Sequence, residues 1–345
     1  MKSKPMTKFA ILTLSLILVA CAGGGSEEAG CPAIDGREIN VVATTPMIGE
    51  FVSQVGGESI NLTVLMPPEA NPHTYEPAPQ DAGTIAEADL VFYTGLLYEP
   101  AALVKLLENS ACSTDILSEV GESVFPIEFK EGGHDDHDDH DDEEGHDDHD
   151  DEEGHDDEEG HDDHEGHNHG AYDPHFWFDP SRVAYAAEYI ESRLIQFDPE
   201  NESSYTSSAD SFVSELNDLT KQVSELISTV PSQNRKLITT HESLGYLEAK
   251  FGLEVLSTII PSLNSANEIS PSDLAGVIDV IEDNNVKVIF IESEAPSVYS
   301  ETIVAETGIK PVTGLYVETL KPGQSYSEFL ISNVKLITEN LQDTD

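Results

Sequence analysis

The chain has 345 residues and is 38% hydrophobic, enough for two domains of ordinary size with packed cores. Against 67 acids stand only 16 basic residues, a formal net charge of −51. That balance excludes nucleic acid and anionic lipid surfaces as partners and favours the attraction of cations.

The N-terminus reads as a targeting segment. Lys2, Lys4 and Lys8 precede the apolar run FAILTLSLILVA, which is too short to span a bilayer and suits a signal-peptide core. The run ends Leu18-Val19-Ala20-Cys21. A cysteine directly after a small residue is the pattern of a lipoprotein signal, with Cys21 lipidated as the mature N-terminus. A plain secretory signal is the alternative. Residues 1–20 are thus expected to be signal peptide and 21–36 a flexible tether. With no later segment apolar enough to cross a membrane, the mature protein is expected outside the cytoplasm. Its lipid would hold it to the outer face of the cytoplasmic membrane, in a periplasm or at a cell surface. The leftover cysteines, Cys31 and Cys112, favour one disulfide in an oxidising compartment, with two buried thiols as the alternative.

Short β-rich runs then alternate with amphipathic stretches. INVVATT (39–45), INLTVLM (60–66) and ADLVFYTG (88–95) read as strands buried on both faces, with AALVKLLENS among the helices between them. The rhythm returns in KLITTHE (236–242), LEVLSTII (253–260) and VKVIFIES (286–293), with SLGYLEAKF and PSDLAGVIDVIEDN as helices. Between the two series, Tyr205, Ala209, Phe212, Leu216, Leu219, Val223, Leu226 and Val230 recur at helical spacing, bounded by Pro199 and Pro231. The expected fold class is α/β: two similar α/β domains with parallel sheets (37–198 and 231–345), joined by a long rigid linker helix over 199–230. Two helices broken near NDLT are the alternative for that connection.

Ten of the 13 histidines fall within 131–170, a glycine-punctuated acidic repeat without Lys or Arg. They are His134, His137, His140, His146, His149, His155, His161, His164, His167 and His169. A repeat without hydrophobic periodicity cannot bury enough surface to offset ordering, so a disordered loop inside the first domain is expected. The other three histidines lie in ordinary sequence. His73 sits in a stretch stiffened by Pro67, Pro68, Pro72, Pro77 and Pro79, His175 in YDPHFWFDP, and His241 at the end of KLITTH. Each stands near a strand end or a helix start, where ligands bind in open α/β sheets. Converging, they would make a metal site, since neutral imidazole ligates zinc well. Three unrelated capping or surface histidines are the alternative.

The segments PHTYEPAPQDAGTIAEADLVFYTG, DPHFWFDP, THESLGYLEAKFGLEV and ETLKPGQSYSEFL, in this order, resemble the zinc/manganese solute-binding proteins of bacterial ABC transporters, over about residues 37–345. The resemblance implies a metal site in the cleft between the domains, with ligands on His73, His175 and His241. It also implies a permease as partner, lipid anchoring and a monomeric chain. A histidine at 241, where manganese-type relatives often carry a carboxylate, points to Zn2+ over Mn2+. Glu318, in YVETL, matches the family's fourth carboxylate, with water as the alternative. Glu292 is a weaker candidate that would otherwise cap or line the cleft. Asp179 and Glu76 are candidates to orient the imidazoles, or else to cap helices and face solvent. Zinc-type relatives tend to carry a His-rich acidic loop between the first two ligands, which makes the repeat an accessory metal loop, with an acidic spacer as the alternative.

The expected function is therefore high-affinity zinc capture for uptake, without catalysis. A surface zinc buffer or adhesin is the alternative. A metal-dependent hydrolase fits less well, because the chain lacks H-E-x-x-H and a nucleophile elbow.

Overall fold

The computed structural model describes residues 31, 34, 36–68, 70–129, 172–294 and 298–342. The expected signal peptide, Cys21, most of the tether and the ten repeat histidines lie outside the described residues.

The first half builds one parallel sheet from β1 (Ile39–Ala43), β2 (Ile60–Val64), β3 (Leu90–Tyr93) and β4 (Leu117–Glu119), in the order β2-β1-β3-β4. Its helices are α1 (Pro46–Gly56), α2 (Pro79–Ala86), α3 (Ala101–Ser110) and, later in the chain, α4 (Pro180–Phe197). One unbroken helix, α5 (Glu202–Ser228), leads to the second half. There β5 (Lys236–His241) pairs in parallel with β6 (Glu254–Ile260), and β7 (Val288–Glu292) with β8 (Lys310–Leu315). The helices of this half are α6 (Gly245–Phe251), α7 (Pro271–Asp283), α8 (Val298–Thr307) and α9 (Tyr326–Gln342). Among the described residues, no helix is long and apolar enough to cross a membrane.

Local chemistry sets the helix starts. Thr45 accepts the Ile48 N–H and Pro46 opens α1, while Asp179 accepts the Ser181 N–H and Pro180 opens α4. Strand alternation then sorts side chains between cores. Val41, Leu90 and Phe92 face the main core, whereas Val42 and Val91 face a smaller one under α2 and α3. In the second half, Leu237 and Phe290 join that same main core, and Ile238 and Ile289 face a third cluster with Val277 of α7.

The main core therefore runs unbroken through both halves, and α5 is its spine. Tyr205, Ala209, Phe212, Leu216, Leu219, Val223 and Ile227 are its buried stripe, packed on α1, α4, α6 and α9. Leu226 is only half-buried and Ile227 takes its place. Alternating steps of three and four average 3.5 residues, so a helix of 3.6 needs an extra four-residue step to keep its stripe in line. β2 also departs from expectation. It is the edge of its sheet, and only Ile60 of its five residues is buried. An edge strand has a neighbour on one side alone, which leaves Asn61, Thr63 and Val64 at the surface.

Cys31 and Cys112 form a disulfide, which ties the segment ahead of β1 to the end of α3. Phe51 of α1 sits where the halves meet. Its ring lies 5.3 Å from Tyr326 of α9, 6.3 Å from Phe212 of α5 and 6.2 Å from Phe176. Phe51→Ala should lower the unfolding free energy by about 3–5 kcal/mol. Urea titration followed by the fluorescence of Trp177, the single tryptophan, should show one transition moved to lower urea. Two separated transitions would mean that the halves do not share a core.

Candidate metal site

Each of the three scattered histidines is delivered by a different device. His73 stands in a 3-10 turn, Pro72–Thr74, capped by Asn71, whose side-chain oxygen accepts the His73 N–H at 2.9 Å. The Asn71 amide also donates across the cleft to Ser265 Oγ (2.9 Å) and to the Glu294 carbonyl (3.3 Å). His175 precedes a second 3-10 turn, Phe176–Phe178, that runs into α4. His241 is the last residue of β5, and there Glu292 at the end of β7 accepts its backbone N–H at 3.1 Å.

Glu318 follows β8 on a segment held by aromatic side chains. Trp177 Nε1 donates to the Val317 carbonyl (2.8 Å), and the Tyr326 hydroxyl donates to the Trp177 carbonyl (2.7 Å). The three imidazoles and this carboxylate meet, with one potential donor atom from each lying within 4.8 Å of the others. Glu318 Oε1 is 3.1 Å from His73 Nε2 and 2.9 Å from His241 Nε2, and Oε2 is 3.6 Å from His175 Nε2. All four side chains are buried.

The far sides of two rings fix their chemistry. His175 Nδ1 faces Asp173 Oδ1 at 2.8 Å, and His241 Nδ1 faces Glu292 Oε2 at 2.5 Å. With protons on the Nδ1 atoms, Nε2 is the atom of each ring that faces inward and would ligate a metal once its own proton is expelled. The Nε2 atoms of His175 and His241 are buried and make no hydrogen bond among the described residues. Buried nitrogens of this kind are costly unless a cation or proton engages them, so the donor set fits a divalent ion.

Asp173 and Glu292 are thus the carboxylates that face the ring nitrogens, and of the two roles left open for Asp179 and Glu76 the structure shows the cap and the surface position rather than imidazole orientation. Asp179 caps α4, and Glu76 is exposed. Proximity in sequence could not show which oxygen reaches a ring nitrogen. The signal for Asp173 was there in Asp-Pro-His, because an Asp accepts readily from the N–H two residues on, as Asp173 Oδ1 does from His175 (2.9 Å). Sequence reasoning also missed Tyr98, whose hydroxyl donates to Glu318 Oε2 at 2.8 Å.

Electrostatics couple the cluster. Burial by itself would lower His175, yet Glu318 and Asp173 outweigh it and hold the imidazole up at about 9. Burial likewise opposes charge on His241, and Glu292 with Glu318 lifts it well above the ordinary imidazole value. For Glu318 burial would raise the carboxyl, but the three imidazoles hold it well below the usual carboxylate range.

Comparison with known proteins adds four findings. The family described as "Zinc-uptake complex component A periplasmic" matches residues 41–340. The chain is 27% identical to the "High-affinity zinc uptake system protein ZnuA" of Bacillus subtilis, over 96% of each chain. It is 26% identical to the "Manganese ABC transporter substrate-binding lipoprotein PsaA" of Streptococcus anginosus, over 98% of this chain and 99% of that one. Among solved structures, the periplasmic zinc-binding protein TroA of Treponema pallidum shares the fold. It has a TM-score of 0.71 at 21% identity, over 88% of this chain and 99% of that one.

Below a pKa of about 9 the free His175 carries a proton that a bound ion must expel. Metal binding near neutral pH should therefore release at least one proton. The buffer takes up what the site releases, so calorimetric enthalpies should become more exothermic in proportion to the ionisation enthalpy of the buffer. Below that pKa, apparent affinity should fall about tenfold for each unit by which the pH is lowered, per proton released. Buffer-independent enthalpies would contradict this charge arrangement.

Proposed function

The chain belongs to the family of zinc-uptake complex component A periplasmic proteins, and from that premise we propose that it captures zinc and passes it to an ABC permease. It is the extracytoplasmic metal-binding component of an ABC metal-uptake system, a substrate-binding protein and not an enzyme. A divalent metal ion is its cargo, and its partners are the membrane components of the transporter.

Zinc is the reading that the donor set supports best. His73, His175 and His241 supply three nitrogens and Glu318 a carboxylate, all within a 4.8 Å cluster. A small, nitrogen-rich, four-donor set suits tetrahedral zinc, whereas manganese favours six oxygen-rich ligands. Manganese is the second reading, because the Streptococcus anginosus relative is named for it. In this account the ten repeat histidines hold metal more weakly than the cleft, since a chain ordered around each ion loses conformational entropy. Lipidation at Cys21 and a monomeric state belong to the same proposal. The core shared across α5 favours local loop adjustment over wide hinge closure when the ion binds.

The deciding measurement is chelator-competition titration with zinc and with manganese, on the mature protein and on a variant lacking residues 134–169. Both should bind one zinc tightly and manganese at least about 100-fold more weakly, a gap of about 2.7 kcal/mol. Loss of tight binding in the shortened protein would move the site to the repeat and favour the surface-buffer reading. Tighter manganese than zinc in both would favour the second reading.

A further inference from the structure

The two oxygens of Glu318 have different surroundings. Oε1 lies between His73 Nε2 (3.1 Å) and His241 Nε2 (2.9 Å). Oε2 accepts the Tyr98 hydroxyl at 2.8 Å and stands farther, 3.6 Å, from His175 Nε2. Tyr98 is buried, and its phenol is a hydrogen-bond donor to that oxygen.

We infer that Tyr98 sets the metal preference of the cleft, by holding Glu318 to ligation through Oε1 alone and so keeping the bound ion four-coordinate. The inference rests on the reading of His73, His175, His241 and Glu318 as ligands. A carboxylate that turned to offer both oxygens would give up the 2.8 Å Tyr98 bond and leave the buried hydroxyl only its longer contact with the Glu318 carbonyl (3.3 Å). Two-oxygen ligation is what a larger, oxygen-preferring ion needs to raise its coordination number, so Tyr98 acts against manganese more than against zinc. It is a positioning residue, working through Glu318.

The fold invests in this placement. The Tyr98 ring meets His73, His175 and Trp177 edge to face, with centroids 4.9, 5.9 and 5.3 Å apart. It follows three consecutive residues in the left-handed region, Gly95 (φ 76°), Leu96 (φ 53°) and Leu97 (φ 62°). Two leucines there are strained and persist only where the surroundings hold them. Buried Glu99 accepts the N–H of Thr94 (2.7 Å), the N–H of Gly95 (2.9 Å) and the Thr44 hydroxyl (2.8 Å). Glu119 accepts the Leu96 N–H at 2.9 Å, and a Cβ on Gly95 would overlap that same carboxylate. A turn strapped by two carboxylates therefore aims one phenol at one oxygen.

The test compares the mature protein with Tyr98→Phe, which keeps the ring, and Tyr98→Leu, which removes it. Cobalt(II) at one equivalent reports coordination number through its visible absorption, strong when four-coordinate and weak at five or six. Zinc and manganese affinities come from chelator competition. Tyr98→Phe should weaken the cobalt absorption several-fold and lower the zinc-to-manganese affinity ratio roughly tenfold, through tighter manganese, which corresponds to about 1.4 kcal/mol. A Tyr98→Phe protein with unchanged spectrum and ratio overturns the inference and leaves the site reading intact. So does an equal loss of both affinities confined to Tyr98→Leu, since that is a packing role. A wild-type protein without a four-coordinate signal abolished by His241→Ala overturns both readings together.

Discussion

Everything in this molecule is arranged around one buried anion. Glu318 is shut away from water, and burying a carboxylate is prohibitive unless positive charge or hydrogen-bond donors surround it. Three inward-facing imidazoles meet that need, and because each can carry either a proton or a metal ion, the same cluster suits a protein that must take up and release a cation. Asp173 and Glu292 extend the requirement outward. Each accepts from a histidine ring nitrogen and from that histidine's backbone N–H, so the ring and its chain segment are fixed together. The cleft is thus a layered charge pattern of carboxylate, imidazole, carboxylate.

Such a pattern needs a frame that brings distant segments together. His73 follows β2, His175 precedes α4, His241 ends β5 and Glu318 follows β8. The seam between the halves is held at the site by Trp177 on the Val317 carbonyl and by Tyr326 on the Trp177 carbonyl. Deeper, Phe51, Phe212 and Tyr326 continue the contact into the shared core. β5 and β7 run side by side, and the bond from the Glu292 N–H to Thr240 Oγ1 (3.0 Å) sets the register in which Glu292 reaches His241.

Metal preference is decided at a finer scale than the ligand list. Relatives named for zinc and for manganese resemble this chain to nearly the same degree, so overall similarity carries little weight on that question. What distinguishes donor sets is the number of oxygens offered and the freedom of the carboxylate to turn. The Tyr98 bond to Glu318 bears on that freedom, and it comes from a loop rather than from a ligand.

Much of this was legible in the amino-acid sequence. Hydrophobic runs and their spacing marked six of the strands and the long helix, because burial on a parallel sheet and a 3.6-residue period leave local signatures. Among the described residues, the two strands without such a signature went unread. β4 is three residues long, and β8 buries every third residue instead of alternating, with Gly314 at φ 93° within it. The histidines stood out by their proline- and strand-end settings and by family resemblance. Residue types and local rhythm, in short, were determined by the sequence alone. Only the tertiary structure decided which oxygens serve them. That Glu292 faces the His241 ring, and that Tyr98 holds one oxygen of Glu318, depends on contacts 51 and 220 residues apart in the chain. Such contacts arise from packing and leave no periodic trace in the residues that make them.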